Sequence, residues 1–248
     1  MSKRLVGLMI AGAVALALGA AACSNMATAT SPTAEAGPNT LSLQEKQAGW
    51  QLLFNGKDFN GWHFYRGGQV TTPWSVQDGT IALAGPGTDI ITNDEFGDFD
   101  LSLEWKISPA GNSGIIYMVK EDASAPQTYN TGPEMQVLDN AGHADGKIPS
   151  HRAGALYDLV TPPDNVTKPV GEWNLARVRV YHGKIEHWLN GVKTAESSYG
   201  DAAWFKMVAG SKFKDMPLFG KAKVGHIALQ DHGDKVWYRN IKIKRLSV

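Results

Sequence analysis

The chain of 248 residues has a single cysteine, Cys23, and no excess of charge, since 24 Lys and Arg balance 24 Asp and Glu. One thiol excludes an intrachain disulfide framework and a multi-cysteine zinc site. A formal net charge of zero, with no Lys/Arg run interleaved with aromatics, argues against a nucleic acid partner. HExxH, GxSxG, GxGxxG and Walker sequences are missing, as is an Asp-rich calcium loop. Their absence argues against zincin, serine-hydrolase, dinucleotide and P-loop chemistry. No internal repeat occurs either. The long apolar run is confined to Leu5–Leu18, too short for a comfortable membrane span. What is present is 43% apolar residues, 27 Gly and 8 Trp. That allows a sizeable core and has the loop-rich, aromatic-rich balance of all-β proteins.

The N-terminus reads as an address. Lys3 and Arg4 precede the apolar run, and Ala20-Ala21-Ala22 stands directly before Cys23. This resembles a bacterial lipoprotein signal, with residues 1–22 removed and Cys23 lipidated. Residues 23–40, rich in Ser, Thr, Ala, Pro and Gly, read as a flexible tether, and 41–248 as one folded domain. Ser24 after the cysteine resembles the signal for the outer membrane. The implied location is the cell envelope, anchored by lipid and facing the periplasm or the surface.

Strand signals dominate the rest. Leu101–Ile107 alternates, with Leu101, Leu103, Trp105 and Ile107 on one face and Ser102, Glu104 and Lys106 on the other. Glu134–Asp139 alternates at its start. Asn174–Tyr181, Lys184–Leu189 and Val192–Ala195 form a meander, with turns at His182-Gly183 and Asn190-Gly191. Gly225–Gln230 and Val236–Leu246 read as a final pair joined by Asp231-His-Gly-Asp234. Asp201–Val208 is the one helical candidate. Many short strands with Gly-rich turns predict a sandwich of two antiparallel sheets. One curved sheet would leave a polar groove.

Chemistry is sought on that groove. Glu134 and Gln136, two apart on one strand, project from the same face. Were a neighbouring strand to bring Glu104 beside them, two carboxylates and an amide would share a surface; a solvated sheet face is the equal alternative. Asn112-Ser113-Gly114 reads as a turn that can present hydrogen-bonding groups. Gln230 and His232 lie in a polar segment where an imidazole is a natural base near neutrality. Asp231 and Asp234 are placed to orient it, or the segment is an ordinary hairpin loop. Trp62, Trp74 and Tyr157 are stackers on sugar faces or core residues.

Ten segments resemble one bacterial family. Among them are Leu53-Phe-Asn-Gly-Lys-Asp-Phe-Asn-Gly-Trp62, Trp74-Ser-Val-Gln-Asp-Gly79, Phe96–Trp105, Gly111-Asn-Ser-Gly-Ile115, Gly132-Pro-Glu-Met-Gln-Val-Leu-Asp139, Gly154-Ala-Leu-Tyr157 and Leu229-Gln-Asp-His-Gly233. The family is the 3-keto-disaccharide hydrolase, or 3-keto-glucoside lyase and glucal hydratase, domain. The resemblance spans about residues 47–247. It implies a concanavalin A-like, laminin-G-like jelly roll acting on a glucoside or disaccharide already oxidised at C3. It also implies proton transfer by Glu134 and His232, with Asp139 orienting a base or a metal. Glu104, Asn112, Gln136, Tyr157 and Gln230 would bind hydroxyls or polarise the ketone. A divalent cation at the enolate would serve the same end, though the sequence establishes none. A non-catalytic carbohydrate-binding module on the same fold is the other reading. The sequence fixes neither the metal nor the oligomeric state.

Overall fold

The computed structural model describes residues 37–247. The readings on residues 1–22, on Cys23 and on the tether up to residue 36 fall outside them. The remaining tether is not free. The Asn39 amide N–H donates to Asn240 Oδ1 at 2.5 Å and its side chain donates to Gly79 O at 2.7 Å, while Asn240 N–H returns a bond to Asn39 Oδ1 at 2.9 Å. Asn39 is thereby tied to the folded part of the chain, because a side-chain amide can pair with backbone on two elements at once.

Thirteen strands follow in chain order: β1 (Trp50–Leu52), β2 (Trp62–Phe64), β3 (Trp74–Gln77), β4 (Thr80–Leu83), β5 (Ile90–Thr92), β6 (Phe99–Ile107), β7 (Asn112–Val119), β8 (Glu134–Leu138), β9 (Asn174–Tyr181), β10 (Lys184–Leu189), β11 (Val192–Ser198), β12 (His226–Leu229) and β13 (Val236–Arg245). Two short helices flank them, α1 (Leu43–Gln47) and α2 (Ala202–Ala209). Ser42 and Glu45 cap α1 reciprocally, and the Asp201 side chain accepts from Trp204 N–H at the start of α2. One sheet has eight strands, ordered β11-β10-β9-β6-β13-β4-β3 with β1 also on β13; the other has five, ordered β2-β5-β12-β7-β8. All pairings are antiparallel. This is the all-β jelly-roll sandwich expected.

Local chemistry explains the elements. β6 buries Leu101, Leu103, Trp105 and Ile107 and leaves Ser102, Glu104 and Lys106 partly exposed, so the period-2 pattern is a single core face. His182-Gly183 and Asn190-Gly191 both take positive φ, the geometry that two-residue hairpins need. Between the sheets, Leu101, Leu103 and Trp105 meet Ile115, Tyr117, Met135 and Val137 in one core. A hydrogen bond of 2.8 Å from the Tyr117 hydroxyl to His187 Nε2 crosses that core. Burial pushes His187 down to about 4, so it stays a neutral packing residue.

Two expectations change here. Asn112-Ser113-Gly114 is the start of β7 and not a turn, because all three residues are buried and paired with Leu138, Val137 and Gln136. β12 and β13 are not a hairpin either, since β12 belongs to the five-stranded sheet and β13 to the eight-stranded one. The polar segment between them is a crossover at one end of the sandwich. Crossing relieves it of hairpin geometry and lets it lean over the outer face of the smaller sheet.

Candidate active site

The outer face of the five-stranded sheet carries the site. Registers place Asn112 opposite Leu138, Gly114 opposite Gln136 and Ile116 opposite Glu134. Directly opposed residues share a face, so Asn112, Glu134 and Gln136 converge. Gln230, two residues past Ala228 on the β12 line, joins them. Tyr157, on the loop that donates its backbone N–H to Glu134 O at 3.0 Å, closes one side. The exposed His232 stands at the rim. These six residues line a pocket of about 160 Å³ together with Tyr129, Lys212 and Phe213. That volume is about five waters' share of liquid and suits one sugar ring rather than a chain.

Gly114 makes the floor. A Cβ there would lie 1.9 Å from Glu134 Oε1, so the absence of a side chain on β7 is what lets the Glu134 carboxyl lie across the sheet. The Gln136 amide satisfies both its ends when its nitrogen donates to Glu134 Oε1 and Ser113 O, each at 3.0 Å; the reverse orientation offers only a 3.3 Å contact to Asn112 Oδ1. Burial pushes the Glu134 carboxyl up to about 8, with the negative charges of Asp89 and Asp145 in the same direction and the Lys212 ammonium opposing. A carboxyl held there takes and returns a proton near neutral pH. The Tyr157 hydroxyl donates to Asp145 Oδ2 at 3.1 Å, and the ring stacks on His151 at 4.3 Å. Lys212 Nζ lies 4.1 Å from the Tyr157 ring centroid, at the pocket's one cationic side chain.

Glu104 is not part of this assembly. β6 is in the other sheet, and its polar face points away from the core. There Glu104 Oε2 accepts from Arg239 Nε at 2.5 Å, and the Arg239 guanidinium stacks on Trp173 at 4.1 Å. Asp139 is also elsewhere. Its Oδ2 accepts from Ala110 N–H at 2.8 Å and its Oδ1 from Ala141 and Gly142 N–H at 3.1 Å, so both oxygens lock the turn after β8. Trp62 and Trp74 are core residues whose indole N–H groups donate to Leu53 O and Thr88 O. Of the proposed sugar stackers, only Tyr157 lines the pocket.

Among the described residues, neither Asp231 nor Asp234 bonds the His232 ring. Asp231 Oδ1 accepts from Gly233 N–H at 2.8 Å, and Asp234 Oδ2 accepts from Asn112 N–H at 3.0 Å, which pins the crossover to β7. His143, His232 and Asp234 bring one ligand-type atom each within 4.8 Å of one another. His143 does not fit an ion as arranged. Its Nδ1 accepts from Asp145 N–H at 3.1 Å, so in the neutral ring the proton is on Nε2 and no lone pair remains to bind a cation. A larger cleft of about 500 Å³ lies where Trp105, Leu138 and Asp139 meet the 163–170 loop, but its Asp139 carboxylate is spent on backbone amides. Tyr129, Lys212 and Phe213 carry no signal in the sequence, since Tyr129 reaches the pocket from a short 3-10 turn before β8 and Lys212 and Phe213 from an irregular segment far along the chain.

A family model for a 3-keto-alpha-glucoside-1,2-lyase-like domain matches residues 49–244. The chain belongs to this family. A relative in the family's range, the 3-keto-disaccharide hydrolase of Bacteroides thetaiotaomicron, is 36% identical over 84% of this chain and 82% of its own length. A crystal structure from Parabacteroides distasonis, given as that of a candidate glycosyl hydrolase, superposes with a TM-score of 0.80 at 37% identity, covering 85% of this chain and 100% of that one. A second from the same organism and of the same description has a TM-score of 0.62 at 28% identity, covering 79% and 99%. Together these support an enzyme of the glycoside-hydrolase type for this lyase-like family member.

Proposed function

We propose that the protein cleaves 3-keto-glucosides by elimination and rehydration. The observation that carries this reading is that Glu134 is the single carboxyl among the residues lining the pocket, and that it is buried with its proton affinity raised. Ordinary glycoside hydrolysis uses two carboxyls flanking one glycosidic bond. Here no second carboxyl lines the pocket among the described residues: Glu104 is on the opposite sheet and Asp139 is held by amides.

One base suffices when C3 is a ketone. The carbonyl acidifies the C2 hydrogen, and the ionised Glu134 takes that proton as the C2–H electron pair moves into an enolate. Lys212 and the side-chain amides of Asn112, Gln136 and Gln230 surround the place where that negative charge develops. The enolate then re-forms the ketone, a C1=C2 double bond appears, and the C1–oxygen bond breaks. His232 at the rim protonates the departing oxygen. Water adds its oxygen to C1 and a proton to C2 of the unsaturated ketone, which gives net hydrolysis.

The test is turnover of 3-keto-trehalose and of a β-linked 3-keto-glucoside against the unoxidised sugars, with and without chelator. Cleavage of keto forms alone, unaffected by chelator, is the expected result. Saturable binding without cleavage of any keto-sugar would replace this reading with a carbohydrate-binding module. The buried Trp62 and Trp74 count against that alternative, since they offer no aromatic platform.

We further propose that Cys23 carries the lipid of an envelope anchor, directed to the outer membrane. The support is the sequence pattern before and after Cys23. Mass spectrometry of the membrane fraction would show a diacylated N-terminal cysteine, and an unmodified or retained leader would sink this proposal.

A further inference from the structure

Asp89 immediately precedes β5 and is absent from every motif singled out in the sequence. It is 5% exposed, yet it carries no cationic partner among the described residues. Its side chain follows the line of the outer face, two residues before Ile91, which pairs with Ala228 of β12. The two carboxylate oxygens serve two different segments. Oδ1 accepts from the backbone N–H of Asp231 at 2.8 Å. Oδ2 accepts from the hydroxyl of Thr128. Asp231 is the residue before His232, and Thr128 is the residue before Tyr129. His232 and Tyr129 both line the pocket.

We propose that Asp89 is a positioning residue that clamps the His232 crossover and the Tyr129 helical turn as two walls of the site, with its carboxylate on the same sheet face as Glu134. This rests on the elimination reading for its kinetic consequences, but the clamp is a property of the fold. One tethered segment is a single 3-10 turn (Thr128–Asn130), the other is irregular, and they belong to different parts of the chain. Without a shared acceptor, nothing in either sequence fixes their separation. A carboxylate meets the need because it accepts on both oxygens at once, whereas a hydroxyl or a single carbonyl offers less.

The ionisable groups that interact electrostatically with Asp89 are Asp231 just past β12, Glu134 on β8 and, from the core side of the sheet, the Tyr238 hydroxyl on β13, and each is acidic or neutral. With no cation beside it, burial pushes Asp89 up to about 6. It is therefore ionised across the range in which Glu134 titrates. Its charge raises the proton affinity of Glu134, so the clamp and the base are coupled.

Two variants separate the two roles. Asp89→Asn keeps the shape: its Oδ1 still accepts from Asp231, and its amide nitrogen donates to the Thr128 hydroxyl. Only the charge is lost. The expected result is near-native kcat at the optimum, with the Glu134 limb of the kcat/KM–pH profile displaced to lower pH. Asp89→Ala removes both bonds. The expected result is a loss of roughly 100-fold in kcat/KM, the cost of displacing a reacting group by about 1 Å. The side-chain NMR signals of His232 in the same Ala variant give a readout that needs no substrate. They should broaden or shift while the fold's remaining signals persist. An Asn variant whose limb stays in place overturns the electrostatic half. An Ala variant with unchanged His232 signals overturns the clamp. If wild-type protein fails to turn over any keto-glucoside, the function reading falls by itself, and the His232 signals still decide the clamp.

Discussion

Glu104 and Glu134 start from similar strings: each is a glutamate among alternating apolar residues on a strand of an antiparallel sandwich. On the eight-stranded sheet Glu104 faces outward, partly wet, and neutralised by Arg239. On the five-stranded sheet Glu134 also faces outward, but loops 128–132, 152–158 and 210–213 cover that face, and it is 6% exposed. Water and a fixed cation surround the first carboxylate. Their removal makes the second a group with a proton affinity matched to neutral pH. The lesson is that a strand pattern places a carboxyl on a face, whereas the cover over that face decides what it can do.

The contrast can be broken most sharply by neutralising each carboxyl. Glu134→Gln is expected to lower kcat/KM for a 3-keto-glucoside by roughly 10²–10⁴, the contribution of a positioned acid–base group. Native-like turnover in that variant would end the assignment. Next in size is Gly114→Ala. The new Cβ falls on the carboxyl's own position, so Glu134 must move and turnover should drop about 100-fold. A structure of the variant with Glu134 undisplaced would refute the steric argument.

The pH dependence of stability sharpens the comparison without substrate. Glu134 has a folded value of about 8 against an ordinary 4.5, so the folded state holds its proton where the unfolded state has lost it. Its contribution is thus most favourable below about 4.5 and declines as pH rises towards 8. His187 works in the opposite sense, because the unfolded state binds its proton first between 6.5 and 4 as pH falls. Subtracting the Tm–pH curve of Glu134→Gln from that of wild type isolates the first group. The wild-type curve should fall relative to the variant between pH 5 and 8, and parallel curves would contradict the buried assignment. The smallest effect is expected at Glu104→Gln. Loss of a partly exposed pair with Arg239 should cost about 1 kcal/mol or less in denaturant melts and leave kcat/KM within twofold. A tenfold kinetic effect there would return Glu104 to the site.

Much of this was legible beforehand. The alternation in Leu101–Ile107 gave β6 and its core face, and the His182-Gly183 and Asn190-Gly191 turns gave the meander of β9, β10 and β11. Glu134, Gln136, Asn112, Tyr157, Gln230 and His232 were named from strand faces, a polar segment and the family resemblance. Two of the failures share a cause: the grouping of Glu104 with Glu134 needs neighbouring strands, and the pairing of β12 with β13 needs a hairpin. Each is a statement about which sheet a strand enters, and antiparallel strands of both sheets share the same period. Tyr129, Lys212, Phe213 and Asp89 carry no sequence signal because their roles come from how loops and a short 3-10 turn pack over the sheet.

The sequence by itself determined a β-rich chain, the turns at its Asn-Gly and His-Gly pairs, and the shared face of Glu134 and Gln136, since these depend on periodicity and on backbone conformations that particular residues favour. Only the tertiary structure decided that Glu104 and Asp139 stand outside the pocket, that Gly114 clears space for a carboxyl, and that Asp89 ties together two walls. Burial and partnership set those outcomes, and both are properties of residues far apart along the chain.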